Sequence, residues 1–256
     1  MWRVEIDCTD ANREWLIVQL GEHGTLGIIE KESPGGRWCL EAYFPKRLPI
    51  PGRWKRCRHQ PGDWREHWQP LEVGERFYMV PYWRDDSAPA GRLRLTIFPR
   101  QASGTGHQAA TQLALIAMER ALAPGMSFLD VGTGTGILAA AAALLGAAWR
   151  VACDIDPQAV TQARENATPA QLVTGSPRCL RPGRFDVVAA NLNAQAILAL
   201  RDELRCVLAP AGRLILSGFK ERHVSRLIGA MNLPVLDTLG SGDWRCLVLA
   251  EASVTS

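Results

Sequence analysis

The sequence predicts an α/β protein with a mostly parallel sheet that ends in an antiparallel hairpin. From Phe128 onward, short apolar runs alternate with helical patterns. This alternation is typical of a parallel sheet whose two faces are covered by helices. The last two strand-like runs, 234–237 and 243–250, have no helix between them. We therefore expect them to pair as the antiparallel end of a seven-stranded sheet.

The first 59 residues are expected to form a separate α+β domain. Trp2, Val4 and Ile6 alternate as in a strand, and a helical pattern follows. Three further strand-like runs complete the domain, at 25–30, 37–44 and 52–59. One strand, one helix and three more strands predict a ferredoxin-like sandwich without its second helix. The many tryptophans of this region either mark a contact surface or fill a small core.

The rest of the chain is divided by its turn signals. Pro61-Gly62 breaks the pattern, and residues 60–70 are predicted to form a linker helix that carries Trp64 and Trp68. The large domain is expected to span 71–256. Its first two strands, 77–82 and 92–98, are predicted to form a hairpin because a polar turn separates them.

Composition excludes few partners. The chain has 29 Lys and Arg against 26 Asp and Glu, so its net charge of +3 does not demand a nucleic acid. A local basic cluster is either a weak contact for the ribosome, RNA or an acidic protein, or a solvated strand face. The cluster consists of Lys46, Arg47, Arg53, Lys55, Arg56 and Arg58.

Cysteine spacing and hydropathy bear on metals and location. The seven cysteines are scattered and form no C-x-x-C pair, which argues against a disulfide framework and a zinc site. No apolar run is long enough to cross a bilayer, and the charged N-terminus lacks the apolar core of a signal peptide. We expect a cytoplasmic monomer with no metal and no membrane partner.

The main candidate site is the glycine-rich turn after the strand at 128–131. Gly132, Gly134 and Gly136 follow a G-x-G-x-G spacing, and glycine lets the backbone pass close to a ligand. Dinucleotide enzymes use G-x-G-x-x-G instead. Asp154 ends the next strand, where its carboxylate can accept both hydroxyls of a ribose. The expected ligand is a nucleoside without phosphates, S-adenosylmethionine; the alternative is an ordinary glycine-rich turn.

A second glycine-rich loop precedes the helix at 111–122. Gly104, Thr105, Gly106 and His107 are expected to close over the cofactor or the acceptor. His107 is either a catalytic base or a residue that positions the loop.

These motifs resemble those of a known class of enzymes. Residues 130–136 and 153–157 are similar to the first and second motifs of class I S-adenosylmethionine-dependent methyltransferases. Residues 103–111, 188–192 and 216–219 resemble segments of the PrmA family, the bacterial lysine methyltransferases of ribosomal protein L11. Ser103 and Ala110 stand where the family has phenylalanine and threonine, which leaves the identity of the acceptor open.

The resemblance implies a Rossmann-like class I methyltransferase fold and assigns roles to residues. Asn191, at the end of the fourth strand counted from Phe128, is the expected catalytic residue. Its side-chain oxygen and the carbonyls that follow it would orient the acceptor amine. The expected cofactor-binding residues are Thr111, Asp130, Gly132, Thr133, Gly134, Gly136, Asp154, Ile155 and Asn191.

The implied function is methyl transfer to amines of a protein, at a lysine side chain or an N-terminus. Ribosomal protein L11 is the first expectation for the acceptor, and the N-terminal domain would recognise it. Two alternatives remain open. One is an enzyme of the same fold with another protein, a small molecule or a nucleic acid as acceptor. The other is a non-catalytic binding module.

Overall fold

The computed structural model describes residues 2–25, 27–33, 37–56, 68–98 and 108–250. The chain divides into two units, Met1–Trp68 and Gln69–Ser256. Most of the predicted linker helix lies outside the described residues, and its last three residues, 68–70, are not helical. The linker helix therefore stays a prediction.

The first unit has the strand order of a ferredoxin-like fold. Its sheet runs β2-β3-β1-β4 with antiparallel pairing throughout. Residues 45–52, between the third and fourth strands, contain no helix, as the sequence predicts. The elements are β1 (Trp2–Thr9), α1 (Asp10–Glu22), β2 (Gly27–Ser33), β3 (Arg37–Phe44) and β4 (Arg53–Arg56).

The tryptophans of this unit fill part of its small core, and their role as a contact surface stays a prediction. Trp54 packs against the buried ring of Phe44, with ring centroids 5.7 Å apart, and its indole N–H donates to the carbonyl of Ile50 at 2.8 Å. Trp38 also packs on this core. Trp15 on α1 is 63% exposed.

The basic cluster is partly neutralised within its own unit. The Arg53 guanidinium lies 2.7 Å from the carboxylate of Asp7 and 3.4 Å from that of Glu5. These contacts raise the pKa of Arg53. Arg58 lies outside the described residues. The contact with RNA or ribosomes stays a prediction.

A small three-stranded sheet opens the second unit and corrects one expectation. Its strands are β5 (Leu71–Val73), β6 (Phe77–Pro81) and β7 (Leu93–Ile97). β5 and β6 are antiparallel, but β6 and β7 pair in parallel. The predicted hairpin of 77–82 and 92–98 is therefore wrong. The eleven residues between β6 and β7 carry the chain back to the start of β6, whereas hairpin loops usually have about two to five residues.

The large sheet has seven strands in the order β10-β9-β8-β11-β12-β14-β13. All neighbours are parallel except the β12–β14 and β13–β14 pairs, which are antiparallel. The predicted seven-stranded class I methyltransferase sheet with its terminal hairpin is confirmed. The strands are β8 (Ser127–Val131), β9 (Trp149–Asp154), β10 (Gln171–Thr174), β11 (Phe185–Asn191), β12 (Leu208–Lys220), β13 (Val235–Ser241) and β14 (Trp244–Ala250).

Helices cover both faces of this sheet. Leu214 and Leu216 of β12 share a buried cluster with helices α5, α6 and α7, whereas Ser217 bonds to α2. Neighbouring side chains on a strand point to opposite faces, so α2 lies on the other side. The helices are α2 (Ala109–Ala121), α3 (Ile137–Leu144), α4 (Pro157–Glu165), α5 (Ala194–Ala199), α6 (Arg201–Val207) and α7 (Val224–Met231). Within the described ranges, no helix is long and apolar enough to span a membrane.

Candidate cofactor and acceptor site

The order of the strands in the large sheet locates the site, because this order changes direction at β8. From β8 the chain continues to β9 and β10 on one side, whereas β11 and β12 lie on the other. In open α/β sheets such a switch point leaves a crevice at the carboxyl ends of the strands. Here those ends are Val131 of β8 and Asn191 of β11.

The glycine-rich turn fills the floor of this crevice in a conformation that favours glycine. Gly132, Gly134 and Gly136 have φ angles of +70°, +52° and +84°. The N–H groups of Gly132 and Thr133 donate to the carbonyl of Cys153, at 2.9 and 3.1 Å, which ties the turn to β9. A Cβ atom on Gly132 would lie 2.4 Å from a methyl carbon of Leu192. A side chain at this first glycine would therefore have to displace the end of the Leu192 side chain.

Asp130 supports the turn from inside the protein. Its Oδ2 accepts hydrogen bonds from the Thr133 hydroxyl at 2.7 Å and from the N–H of Ala139 at 3.2 Å. The residue is 1% exposed, and burial raises its pKa to about 7. Asp130 and Thr133 therefore bond to each other, and their contact with a cofactor stays a prediction.

Asp154 and Ile155 offer a polar and an apolar surface side by side. The Asp154 carboxylate accepts the N–H of Gly134 at 3.1 Å and that of Asp156 at 3.0 Å. Ile155 is 76% exposed, which is unusual for an isoleucine. A carboxylate for ribose hydroxyls beside an uncovered apolar side chain fits a nucleoside. The residues present therefore suit S-adenosylmethionine.

Asn191 is oriented by Thr111. The Asn191 amide nitrogen donates to the Thr111 hydroxyl at 3.0 Å, and Thr111 is fully buried in the first turn of α2. Among the described residues, no group donates to the Asn191 side-chain oxygen. Asn191 itself is half-buried, so this oxygen is the acceptor that the side chain has available at the mouth of the crevice.

Three contacts support the site and were not predicted from the sequence. The buried Ser217 hydroxyl donates to the carbonyl of Ala110 at 2.7 Å and so holds the start of α2 against β12. Gly218 lies against the backbone of Leu192, where a Cβ would meet the carbonyl oxygen at 2.5 Å. The Asn166 amide donates to the carbonyl of Thr135 at 2.9 Å, below the glycine-rich turn. The sequence indicated Ser217, Gly218, Ala110 and Leu192 only through the resemblance of residues 103–111, 188–192 and 216–219 to the PrmA family, and it gave no signal for Asn166.

Two expectations are left untested: that the loop at 104–107 closes over the site, and that the protein has no metal. Gly104, Thr105, Gly106 and His107 lie outside the described residues, so their closure over the site stays a prediction. In the part of the chain that the structure describes, no group of three or more His, Cys, Asp or Glu side chains could hold a metal ion.

The chain is similar to ribosomal protein L11 methyltransferases. The family model described as "Ribosomal protein L11 methyltransferase (PrmA)" matches residues 60–252. A relative of that name from Geobacter metallireducens is 40% identical, across 72% of this chain and 64% of its own length. One from Gloeobacter violaceus is 32% identical, across 97% of this chain and 88% of its own length.

A solved structure agrees with these matches. The ribosomal protein L11 methylase from Lactobacillus delbrueckii subsp. bulgaricus superimposes with a TM-score of 0.64 at 29% identity. The superposition covers 71% of this chain and 96% of that protein. The match to the Geobacter relative spans just under two thirds of that protein's length. Since the family model covers well over half of the sequence, the chain belongs to the ribosomal protein L11 methyltransferase (PrmA) family.

Proposed function

We propose that this protein transfers methyl groups from S-adenosylmethionine to amine groups of ribosomal protein L11. The observation that carries the proposal is the hydrogen bond between Asn191 and Thr111 at the carboxyl end of β11. It commits the amide nitrogen of Asn191 to the protein and leaves the side-chain oxygen to accept a hydrogen bond from an amine. The family match supports the acceptor protein.

The residues that would hold the cofactor lie at the carboxyl ends of β8 and β9, beside the crevice. The Asp154 carboxylate would accept the ribose hydroxyls, and the exposed side chain of Ile155 would pack against the adenine ring. The glycine-rich turn, Gly132 to Gly136, would let the backbone lie close to the amino-acid part. When bound, S-adenosylmethionine supplies a methyl group that its sulfonium already activates for transfer.

The protein's own task is to prepare the acceptor. A free lysine amine has a pKa near 10.4 and is almost fully protonated at neutral pH. A crevice that excludes water favours the neutral amine, because burial disfavours the charged form. The oxygen of Asn191 would accept one amine N–H and so aim the nitrogen lone pair. Alignment of two reactants in this way supplies much of the rate of a transfer reaction.

Recognition of the acceptor protein is assigned to the N-terminal domain, residues 1–59. The family model matches residues 60–252, so this domain lies outside that match. Removal of residues 1–59 is expected to abolish methylation of L11 and to leave S-adenosylmethionine binding intact. Retained methylation would remove the recognition role from this domain.

The acceptor is tested by offering the candidates to the protein in separate reactions. The purified protein and labelled S-adenosylmethionine are mixed with free L11, with large ribosomal subunits and with a whole-cell extract, and labelled bands are identified by mass spectrometry. We expect label on L11. Label on a different band only would show that the protein is a methyltransferase with a substrate other than L11. Cofactor binding with no label anywhere would favour a non-catalytic binding module.

A further inference from the structure

One hydrogen bond ties the end of helix α4 to the glycine-rich turn. The side-chain amide of Asn166, the residue that follows α4, donates to the carbonyl of Thr135 at 2.9 Å. Asn166 is 8% exposed, and its Oδ1 accepts no hydrogen bond from any described residue. The amide nitrogen is therefore the atom through which this side chain acts, and its target is the backbone of the turn.

The backbone after Asn166 brings the end of α4 against the turn. Ala167 has a φ of +52°, and the N–H of Thr168 donates to the carbonyl of Ala163 at 3.1 Å. A left-handed residue after the helix, with an N–H that bonds back to the last turn, is a common way to end a helix. Thr168 then lies against Gly136, where an added Cβ atom would collide with the Thr168 hydroxyl. The end of α4 and the residue before α3 are therefore in contact.

The glycine-rich turn is held at two successive residues. The N–H of Gly134 donates to the Asp154 carboxylate at 3.1 Å, and the carbonyl of Thr135 accepts from Asn166. Asp154 also accepts the N–H of Asp156, the N-cap of α4, at 3.0 Å. Residues before and after α4 therefore fix the part of the turn on which S-adenosylmethionine would lie.

We propose that Asn166 is a positioning residue for S-adenosylmethionine, because its amide holds the Thr135 carbonyl toward the interior and keeps the turn in the conformation that binds the cofactor. Gly136 follows this carbonyl, and a glycine gives the peptide group between the two residues freedom to rotate. Without the Asn166 donor, the binding conformation would be one of several, and the apparent affinity would fall by its population. This inference rests on the proposed function and concerns only its cofactor.

The test is binding of S-adenosylmethionine to the full-length protein, measured by titration calorimetry. Asn166→Ala removes the donor, and we expect the Kd to rise about fivefold, the usual order for one lost hydrogen bond. In methylation assays the KM for S-adenosylmethionine should rise with the Kd, whereas kcat at saturating cofactor should stay within about twofold. Thr161→Val is the matched control, since it removes a hydroxyl that donates to the carbonyl of Pro157 within α4. It should bind as wild type.

Asn166→Asp gives a second readout and covers the case in which Asn166→Ala does not fold. The aspartic acid keeps the shape of the side chain, and its protonated form can donate to Thr135 as the amide does. Burial raises the pKa of such a carboxyl, so the variant should bind nearly as wild type at about pH 5 and about fivefold more weakly at about pH 8. Wild type measured at the same pH values accounts for Asp130 and Asp154, the carboxylates that bond to the turn.

Two results would overturn the role of Asn166. A Kd of Asn166→Ala within about twofold of wild type, even with a lower melting temperature, would show that the residue serves stability alone. A Kd of Asn166→Asp that ran parallel to the wild-type Kd across the pH range would show that the donated proton makes no difference. Because binding needs no acceptor, a protein that binds S-adenosylmethionine without methylating L11 would overturn the proposed acceptor alone, and the Kd values of the variants would still decide the role of Asn166.

Discussion

The amide nitrogen of Asn191 donates a hydrogen bond of 3.0 Å to the hydroxyl of Thr111, a residue 80 positions earlier in the chain. The bond joins the end of β11 to the start of α2 and commits the nitrogen end of the Asn191 amide to the protein. Ser217 supports it from β12 by holding the carbonyl of Ala110. In the proposed mechanism, Thr111 would act on the acceptor through Asn191.

The first prediction concerns this pair. Thr111→Val keeps the size of the side chain but leaves the Asn191 amide nitrogen unpaired, and we expect kcat/KM for L11 to fall about tenfold. Asn191→Ala should cost about a hundredfold or more, since it removes the acceptor contact itself. If Thr111 acts through Asn191, the double variant should be no slower than Asn191→Ala. Additive losses would show that Thr111 has a separate role.

The second prediction concerns cofactor affinity. Asp154→Asn removes the charge and one of the two oxygens that would accept the ribose hydroxyls. We expect binding of S-adenosylmethionine, measured by titration calorimetry, to weaken at least about tenfold, as for the loss of hydrogen bonds to a charged group. Ile155→Ser should weaken binding as well, because it removes the apolar surface next to the carboxylate. Unchanged affinity in both variants would show that the cofactor does not bind at the end of β9.

The third prediction concerns pH and stability. Burial raises the folded-state pKa of Asp130 to about 7 from its ordinary value of 3.8. Between these values the folded protein holds a proton that the unfolded chain has lost, so the contribution of Asp130 to stability falls as pH rises toward 7. The wild-type free energy of unfolding should therefore decline between pH 4 and 7, by up to about 1.4 kcal/mol per pH unit.

The variant Asp130→Asn tests whether Asp130 causes this pH dependence of stability. The amide oxygen can still accept from Thr133 and Ala139, but the side chain no longer titrates. Urea denaturation from pH 4.5 to 8 should show a flatter slope for the variant, with its advantage over wild type increasing with pH. Parallel slopes for the two proteins would exclude Asp130 as the source of the pH dependence of stability.

The fourth prediction concerns the glycine-rich turn. Gly132→Ala combines an unfavourable φ of +70° with a Cβ 2.4 Å from Leu192, whereas Gly91→Ala has a φ of +82° and open space around its Cβ. Gly91→Ala should cost about 1 to 2 kcal/mol of unfolding free energy from the backbone alone. Gly132→Ala should cost more and should also weaken S-adenosylmethionine binding. Equal losses of stability in the two variants would mean that Leu192 moves aside without cost.

Local patterns were enough for much of the fold. The glycine spacing at 132–136 and the acid at 154 lie within neighbouring strand ends, so the sequence places them near one another once a parallel sheet is assumed. Asp156 is a further local feature: its side chain caps α4 by accepting the N–H of Gln158 at 2.8 Å, and Pro157 follows in the first turn, a common start of a helix.

Long-range relationships were not accessible in this way. The polar turn at 84–87 suggested a hairpin, but Arg94 holds the carbonyls of Arg84 and Asp86 and lays that segment beside β7. No periodicity in β6 or β7 indicates their parallel pairing. The Asn191–Thr111 bond likewise joins two segments whose proximity depends on the packing of α2 against the sheet.

The most direct test of the central claim compares wild type and Asn191→Ala in one experiment. Transfer of labelled methyl from S-adenosylmethionine to purified L11 is measured together with cofactor affinity. The account predicts labelled L11 with the wild-type protein, and in the variant a loss of transfer of about a hundredfold with affinity for the cofactor nearly unchanged. Transfer at the wild-type rate by Asn191→Ala would contradict the proposed acceptor site.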